Sequence, residues 1–482
     1  MRRLALAAAL AAWGSVCAAT LADCDSPAFA TVLQPMPAPA EARAIWLNKR
    51  QAKWPGVEAR GTFRLVGSTD TLTLDAAHAA DGVLLTVRDA DLPRLPELHR
   101  QALVLEHDGI HTRLQAAAAL DDLYAQAASA SDLGVTVGKS GNAFAVWAPT
   151  AQDMAVCIYD DEKALAVLPM RRDDTTGIWR AKAANGKYYT YLADVIVPGT
   201  GLVRNRVTDP YSISLNTDSR RSYIGSLDAM KPAGWDNTPA PKTVKAQTDM
   251  VVYELHVRDF SVNDATVSAA HRGKYAAFSE PDSNGMRHLA ALQRSGLTDV
   301  HLLPVFDFAS VPEQGCVGTS CYNWGYDPYH YSAPEGSYAT DPSDGACRVI
   351  EMRKMVMNLH RIGLRVGMDV VYNHTFAAGQ KEQSVLDRLV PGYYHRLDAA
   401  GAIEQSTCCD NTATEHRMMG KLMIDSVALW ARHYKIDSFR FDLMGHQPRS
   451  VMEALQKRVN AEAGHPVQLI GEGWNFGEVA NG

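Results

Sequence analysis

A chain of 482 residues is long enough for several domains. Hydrophobic residues at 46% and charged residues at 21% exclude a disordered or fibrous chain. A formal net charge of −7 argues against a nucleic-acid-binding surface and fits a neutral substrate.

The chain opens with "MRRLALAAALAAWGSVCAATLAD", a basic start, an apolar run and then small residues near Ala18 and Ala22. This pattern predicts a secretory signal peptide over residues 1–22, with export to the periplasm, the cell surface or the medium. The run is short for a membrane anchor of ~20 residues. Leu21-Ala22-Asp23-Cys24 is only a faint lipoprotein signal, because Asp23 does not suit one. There are 8 cysteines. Cys17 is expected to leave with the signal, and Cys316 and Cys321 are close enough to pair in an oxidising compartment. The adjacent Cys408 and Cys409 are each expected to pair elsewhere, with connectivity left open. A zinc-type metal site is the weaker reading of these cysteines.

"PMPAPAEA" (35–42) reads as a linker. Residues 42–130 alternate apolar and polar residues in short runs such as "GTFRLVGS" and "TLTLDAA", which predicts a β-rich module. "LQAAAALDDLYAQAAS" (114–129) has helical spacing and closes it. Residues 133–235 predict a β-sandwich, with strands meeting at Pro149 and at the Asn185-Gly186 turn. From 245 to 482 strand-like runs alternate with helical ones: "MVVYELHVRDF", "DVHLLPVF", "LRVGMDVVYNH", "IDSFRFDLM" and "VQLIGEGWNF". That order predicts parallel strands and the first five strands of a (β/α)8 TIM barrel.

Those strands end in polar residues: Asp369, Asn373 and His374; Arg440 and Asp442; Glu472 and Trp474; His256 and Arg258. Arg440 and Asp442 are spaced i, i+2 and leave the same strand face. Two carboxylates on neighbouring strand ends are the minimum for glycoside hydrolysis. Asp442 is expected to be charged and oriented by Arg440, and Glu472 to be held protonated by partial burial and by the nearby negative charge.

"DVVYNH", "FRFD" and "GEGW", in this order, resemble the α-amylase superfamily (glycoside hydrolase family 13). "YNWGYDPYHY" (322–331) and "RFDLMGH" resemble its pullulanase-type (type I) debranching branch. "FAVWAPTAQ" resembles the start of the starch-binding sandwich of debranching enzymes, and the first module resembles the extra N-terminal domain of secreted pullulanases. The resemblance covers 42–482. It implies Asp442 as nucleophile, Glu472 as acid/base and Arg440 as the arginine that orients the nucleophile. His374, Asp369, Tyr326 and Trp474 match substrate-site positions, and Asn373 and His446 join them within the matched motifs.

The implied activity is retaining hydrolysis of α-1,6 branch linkages in pullulan, amylopectin, glycogen and limit dextrins. No redox or group-transfer cofactor is implied. Calcium accompanies this family, yet no loop here has dedicated ligand spacing. Glycine is usual in the family where Ser438 stands. Three further barrel strands, a third carboxylate and a C-terminal β-domain belong to the family pattern and are not found in this sequence. The expectation is a C-terminally truncated debranching enzyme, with an inactive fragment or a non-catalytic α-glucan-binding protein as the alternative.

Overall fold

The computed structural model describes residues 18–36, 39, 41–316 and 321–481. Most of the expected signal peptide (1–17), Cys17 within it, and residues 37, 38 and 40 of the expected linker lie outside them. Among the described residues no helix is long and apolar enough to cross a membrane.

The N-terminal module is a mostly antiparallel set of strands, with one parallel pair between Ala44–Trp46 and Leu114–Gln115. Phe63–Val66 pairs with both Thr71–Ala79 and Val104–His107, and Gln51–Pro55 pairs with Gly82–Thr86. The alternation seen in the sequence sets the faces: Phe63, Leu65 and Leu72 are buried with Trp46 and Trp54, while Arg64 and Thr73 face water. The expected helix over 114–129 is shorter. Leu114–Gln115 is a strand, Ala117–Leu123 is α-helix and Ala125–Ser129 is a 3-10 turn.

In the sandwich, Gly141–Trp147 pairs with Ile178–Ala183, and Asp153–Tyr159 pairs with Tyr188–Val197. Ala30–Pro35, upstream of the first module, completes this sheet by pairing with Gly201–Val207. A disulfide joins Cys24 to Cys157, and a second joins Cys316 to Cys321. Cys408 and Cys409 bond to each other, not to separate partners. The reason is availability: among the described residues the remaining cysteine is Cys347, which is free, and the others are already paired.

The third part is a five-stranded parallel sheet in chain order: β1 (Val252–Leu255), β2 (Asp299–Leu302), β3 (Arg365–Val370), β4 (Ser438–Phe441) and β5 (Gln468–Gly471). Helices α1 (Asn284–Arg294), α2 (Gly345–Arg361), α3 (Arg417–Tyr434) and α4 (Arg449–Ala463) connect them. Ser283 caps α1 by accepting from the Met286 N–H at 3.3 Å, and Asp344 caps α2. Gly464 ends α4 at φ +75°, the left-handed conformation that glycine adopts without strain. β3 is buried at every residue, as the centre of a covered parallel sheet requires.

The described residues divide into two compact units. One comprises the residues up to Gly134, Gly138–Asp209 and Ala377–Met419; the other comprises Val135–Val137, Pro210–Phe376 and those from Gly420 onward. The segment 377–419, which follows β3 in the chain, thus groups with the N-terminal modules. Within that unit the Asn205 amide donates to the Arg388 carbonyl at 3.0 Å, and Trp147 meets the Tyr393 ring edge-on at 4.6 Å.

Candidate active site

Parallel register builds the centre. Asp369 on β3 lies opposite Arg440 on β4, so the ladder sets the two side chains face to face. The Arg440 guanidinium donates to both oxygens of Asp369 at 2.9 Å and to Asp442 Oδ1 at 3.2 Å. Its other amino group donates to Glu472. One arginine therefore spans three carboxylates drawn from the ends of three neighbouring strands. The Tyr326 hydroxyl donates to Asp369 Oδ2 at 2.5 Å, and the Arg440 guanidinium lies 6.0 Å from the Tyr326 ring centre.

Asp442 and Glu472 each stand one residue beyond their strand, where the backbone is still in the ladder. The Asp442 N–H donates to the Val370 carbonyl, and the Glu472 N–H to the Phe441 carbonyl. Leu443 then turns sharply in the left-handed region, at φ +44°, a strained conformation for leucine. That turn aims the Leu443 N–H at Glu472 Oε2, 3.2 Å away. Sequence reading missed this donor, because a backbone N–H leaves no signature in residue type.

The electrostatics differ from expectation at Asp442. Burial raises Asp442 above the ordinary carboxylate range; Arg440 pulls the other way but does not win, and the Glu472 charge adds to the rise. Burial likewise pushes Asp369 up to about 6, against the bonds from Tyr326 and Arg440. Burial works against the Arg440 charge, yet Asp369 holds the guanidinium firmly protonated. Glu472 has the partial burial expected of it. Its side chain keeps 33% of its surface and faces Arg440.

The other expected site residues divide. Trp474 is 60% exposed. His374 is buried with both ring nitrogens engaged, Nε2 with the Tyr326 carbonyl at 2.8 Å and Nδ1 with the Asn373 amide at 2.9 Å. Asn373 is buried beside it, its amide engaged with the His374 ring. His446 is also buried, packed edge-on against Phe476 at 5.0 Å with Glu478 Oε1 3.9 Å from Nδ1. The expected strand end at "ELHVRDF" is a different structure: β1 stops at Leu255, and His256 caps a short helix, Val257–Ser261, that carries Arg258.

Residues 132–212 match the family model for carbohydrate-binding module 48 (isoamylase N-terminal domain). The chain is 36% identical to a pullulanase of Klebsiella pneumoniae over 90% of this chain and 49% of that protein. It is 41% identical to the chloroplastic pullulanase 1 of Arabidopsis thaliana over 77% of this chain and 42% of that one. The crystal structure of Klebsiella pneumoniae pullulanase complexed with maltotriose superposes with a TM-score of 0.84 and 35% identity, covering 90% of this chain and 51% of that one. The chain thus spans about half the length of the curated relatives it matches. Matched in sequence and in fold across all three of its parts, it belongs to the pullulanase-type branch of glycoside hydrolase family 13.

Proposed function

We propose that the chain carries the nucleophile and acid/base of a retaining α-1,6-glucosidase acting on branched α-glucans such as pullulan. The observation that carries this reading is the single guanidinium of Arg440 shared by Asp369, Asp442 and Glu472. Asp442 attacks the anomeric carbon while Glu472 delivers its proton to the departing glycosidic oxygen. The C–O bond breaks, a glycosyl ester forms on Asp442, and the leaving chain departs as an alcohol. Water then attacks the same carbon, giving its proton to Glu472 and freeing Asp442, so configuration is retained. Glu472 must exchange its Arg440 contact for the glycosidic oxygen when substrate enters. Asp369 orients Arg440, and Tyr326 and Trp474 offer ring faces to the sugar.

No redox or group-transfer cofactor enters these steps, and neither does calcium. The ligand is an α-glucan; maltotriose in the complexed Klebsiella pneumoniae structure supports that class. Export through the N-terminal signal is part of the same proposal, and the Cys24–Cys157 disulfide favours an oxidising compartment.

The test is incubation of the protein, as the cell makes it, with pullulan. Release of maltotriose that Asp442→Asn eliminates supports the reading; release of no sugar overturns it. A second reading, glucan binding without hydrolysis, is favoured by the carbohydrate-binding match over 132–212. Retention on immobilised glucan with no product in that assay selects it.

A further inference from the structure

Eight tryptophans fall among the described residues. Trp46, Trp54, Trp147, Trp179, Trp235 and Trp430 are at most 5% exposed, whereas Trp324 and Trp474 are 57% and 60% exposed. Trp474 follows Glu472 by two residues, and Trp324 precedes Tyr326 by two. Trp474 therefore sits beside one carboxylate of the centre, and Trp324 beside the tyrosine that bonds another, Asp369. Tyr322, beside Trp324, is 40% exposed. The proposed mechanism leaves Trp324 and Tyr322 without a task.

We propose that Trp324 and Tyr322 form a sugar-stacking platform next to the carboxylate centre, which binds a further glucosyl ring of the α-glucan chain. This rests on the proposed function and adds a subsite to it. The pair is held rigidly although its faces are open. The Trp324 indole N–H donates to the Tyr322 hydroxyl, which satisfies the indole and leaves its π face as what it offers. The Tyr322 ring leans on His256, with centroids 5.2 Å apart. His256 is itself fixed by the Asn323 carbonyl at 2.8 Å and the Tyr338 hydroxyl at 3.2 Å.

Both flanks of the segment are anchored. Upstream, Cys321 is bonded to Cys316. Downstream, the Gly325 N–H donates to Asn323 Oδ1 at 2.6 Å. Gly325 lies at φ +92°, and a Cβ there would stand 2.8 Å from the Pro304 carbonyl oxygen, so only glycine fits. Tyr326 follows, tied to Asp369. A rigid aromatic face with its polar atom already satisfied suits the C–H face of a pyranose. Ordering it on binding costs little, because it is ordered already. It suits neither an anion nor a hydrogen-bonding headgroup.

The test is site-resolved tryptophan oxidation by N-bromosuccinimide, read by peptide mass spectrometry, on the Asp442→Asn protein with and without maltohexaose. The platform predicts that the sugar protects Trp324 as well as Trp474. It also predicts that Trp324→Ala raises the maltohexaose concentration that half-protects Trp474 by about five- to tenfold, and that Trp324→Phe restores most of it. Protection of Trp474 with Trp324 oxidised at an unchanged rate overturns the platform and leaves the proposed function standing. Protection of neither overturns the proposed glucan site itself.

Discussion

Asp369 ties this site's chemistry to its stability. Burial raises its carboxyl to about 6, so between about pH 4 and 6 the folded protein holds a proton that the unfolded chain has released. Stability from this residue is present below the unfolded value and is lost as pH rises through 6, by at most about 3 kcal/mol. Denaturant titrations at pH 4 and pH 7 should therefore show a smaller pH-dependent loss in Asp369→Asn than in the parent; parallel curves would contradict this. The same direction holds for Asp442, whose ionised form the proposed mechanism needs. Activity should fall on the acid side at a pH above the ordinary aspartate range, as the raised Asp442 and Asp369 take up protons. Asp442→Asn should lower kcat on the order of 10^4-fold or more, with glucan binding retained, as calorimetry on the variant would check. Near-normal turnover would remove the nucleophile assignment.

At the level of elements, the strands below the site form a packed layer. His301 on β2 occupies the space over Gly367 on β3 and bonds Ser438 Oγ on β4 at 3.0 Å. Burial lowers His301 to about 4, so it is neutral there. A Cβ on Gly367 would stand 2.1 Å from the His301 ring and 2.7 Å from Ser438 Oγ. Gly367→Ala should cost about 1–3 kcal/mol by overpacking, and adding His301→Ala should recover part of that loss. Equal thermal midpoints for parent and Gly367→Ala would contradict it. This layer shows where sequence reading stops. Arg440, Asp442 and Glu472 were legible because polar residues at the ends of apolar strands have few other reasons to be there. The serine at 438 was visible as a departure from the family, but its partner His301 lies 137 positions away on another strand. The end of β1 was overrun for a related reason: an apolar alternation does not distinguish a continuing strand from His256 turning to cap a helix with its Nδ1. Nor did the sequence signal that 377–419 groups with the N-terminal modules, since that grouping rests on tertiary contacts such as Arg388 with Asn205.

At the scale of the whole molecule, the Cys24–Cys157 disulfide closes a loop with a sequence separation of 133. Chain entropy alone assigns about 5 kcal/mol to a loop of that length, and native disulfides are typically worth about 2–5 kcal/mol. Replacing both cysteines by serine should lower the denaturant midpoint of the unit that holds them; an unchanged midpoint would show that the bond does not form in the folded protein. The two exposed tryptophans among the described residues are uncharged aromatic faces, which the proposed function assigns to a sugar polymer. In the proposed mechanism Asp442 carries the sugar during turnover. The direct measurement is mass spectrometry of the protein after exposure to a fluorinated α-maltosyl fluoride, which slows release of the glycosyl ester. One glycosyl adduct is expected, mapped to the peptide containing Asp442; an adduct on another carboxylate, or consumption of the fluoride with Asp442 unmodified throughout, would remove Asp442 as the nucleophile.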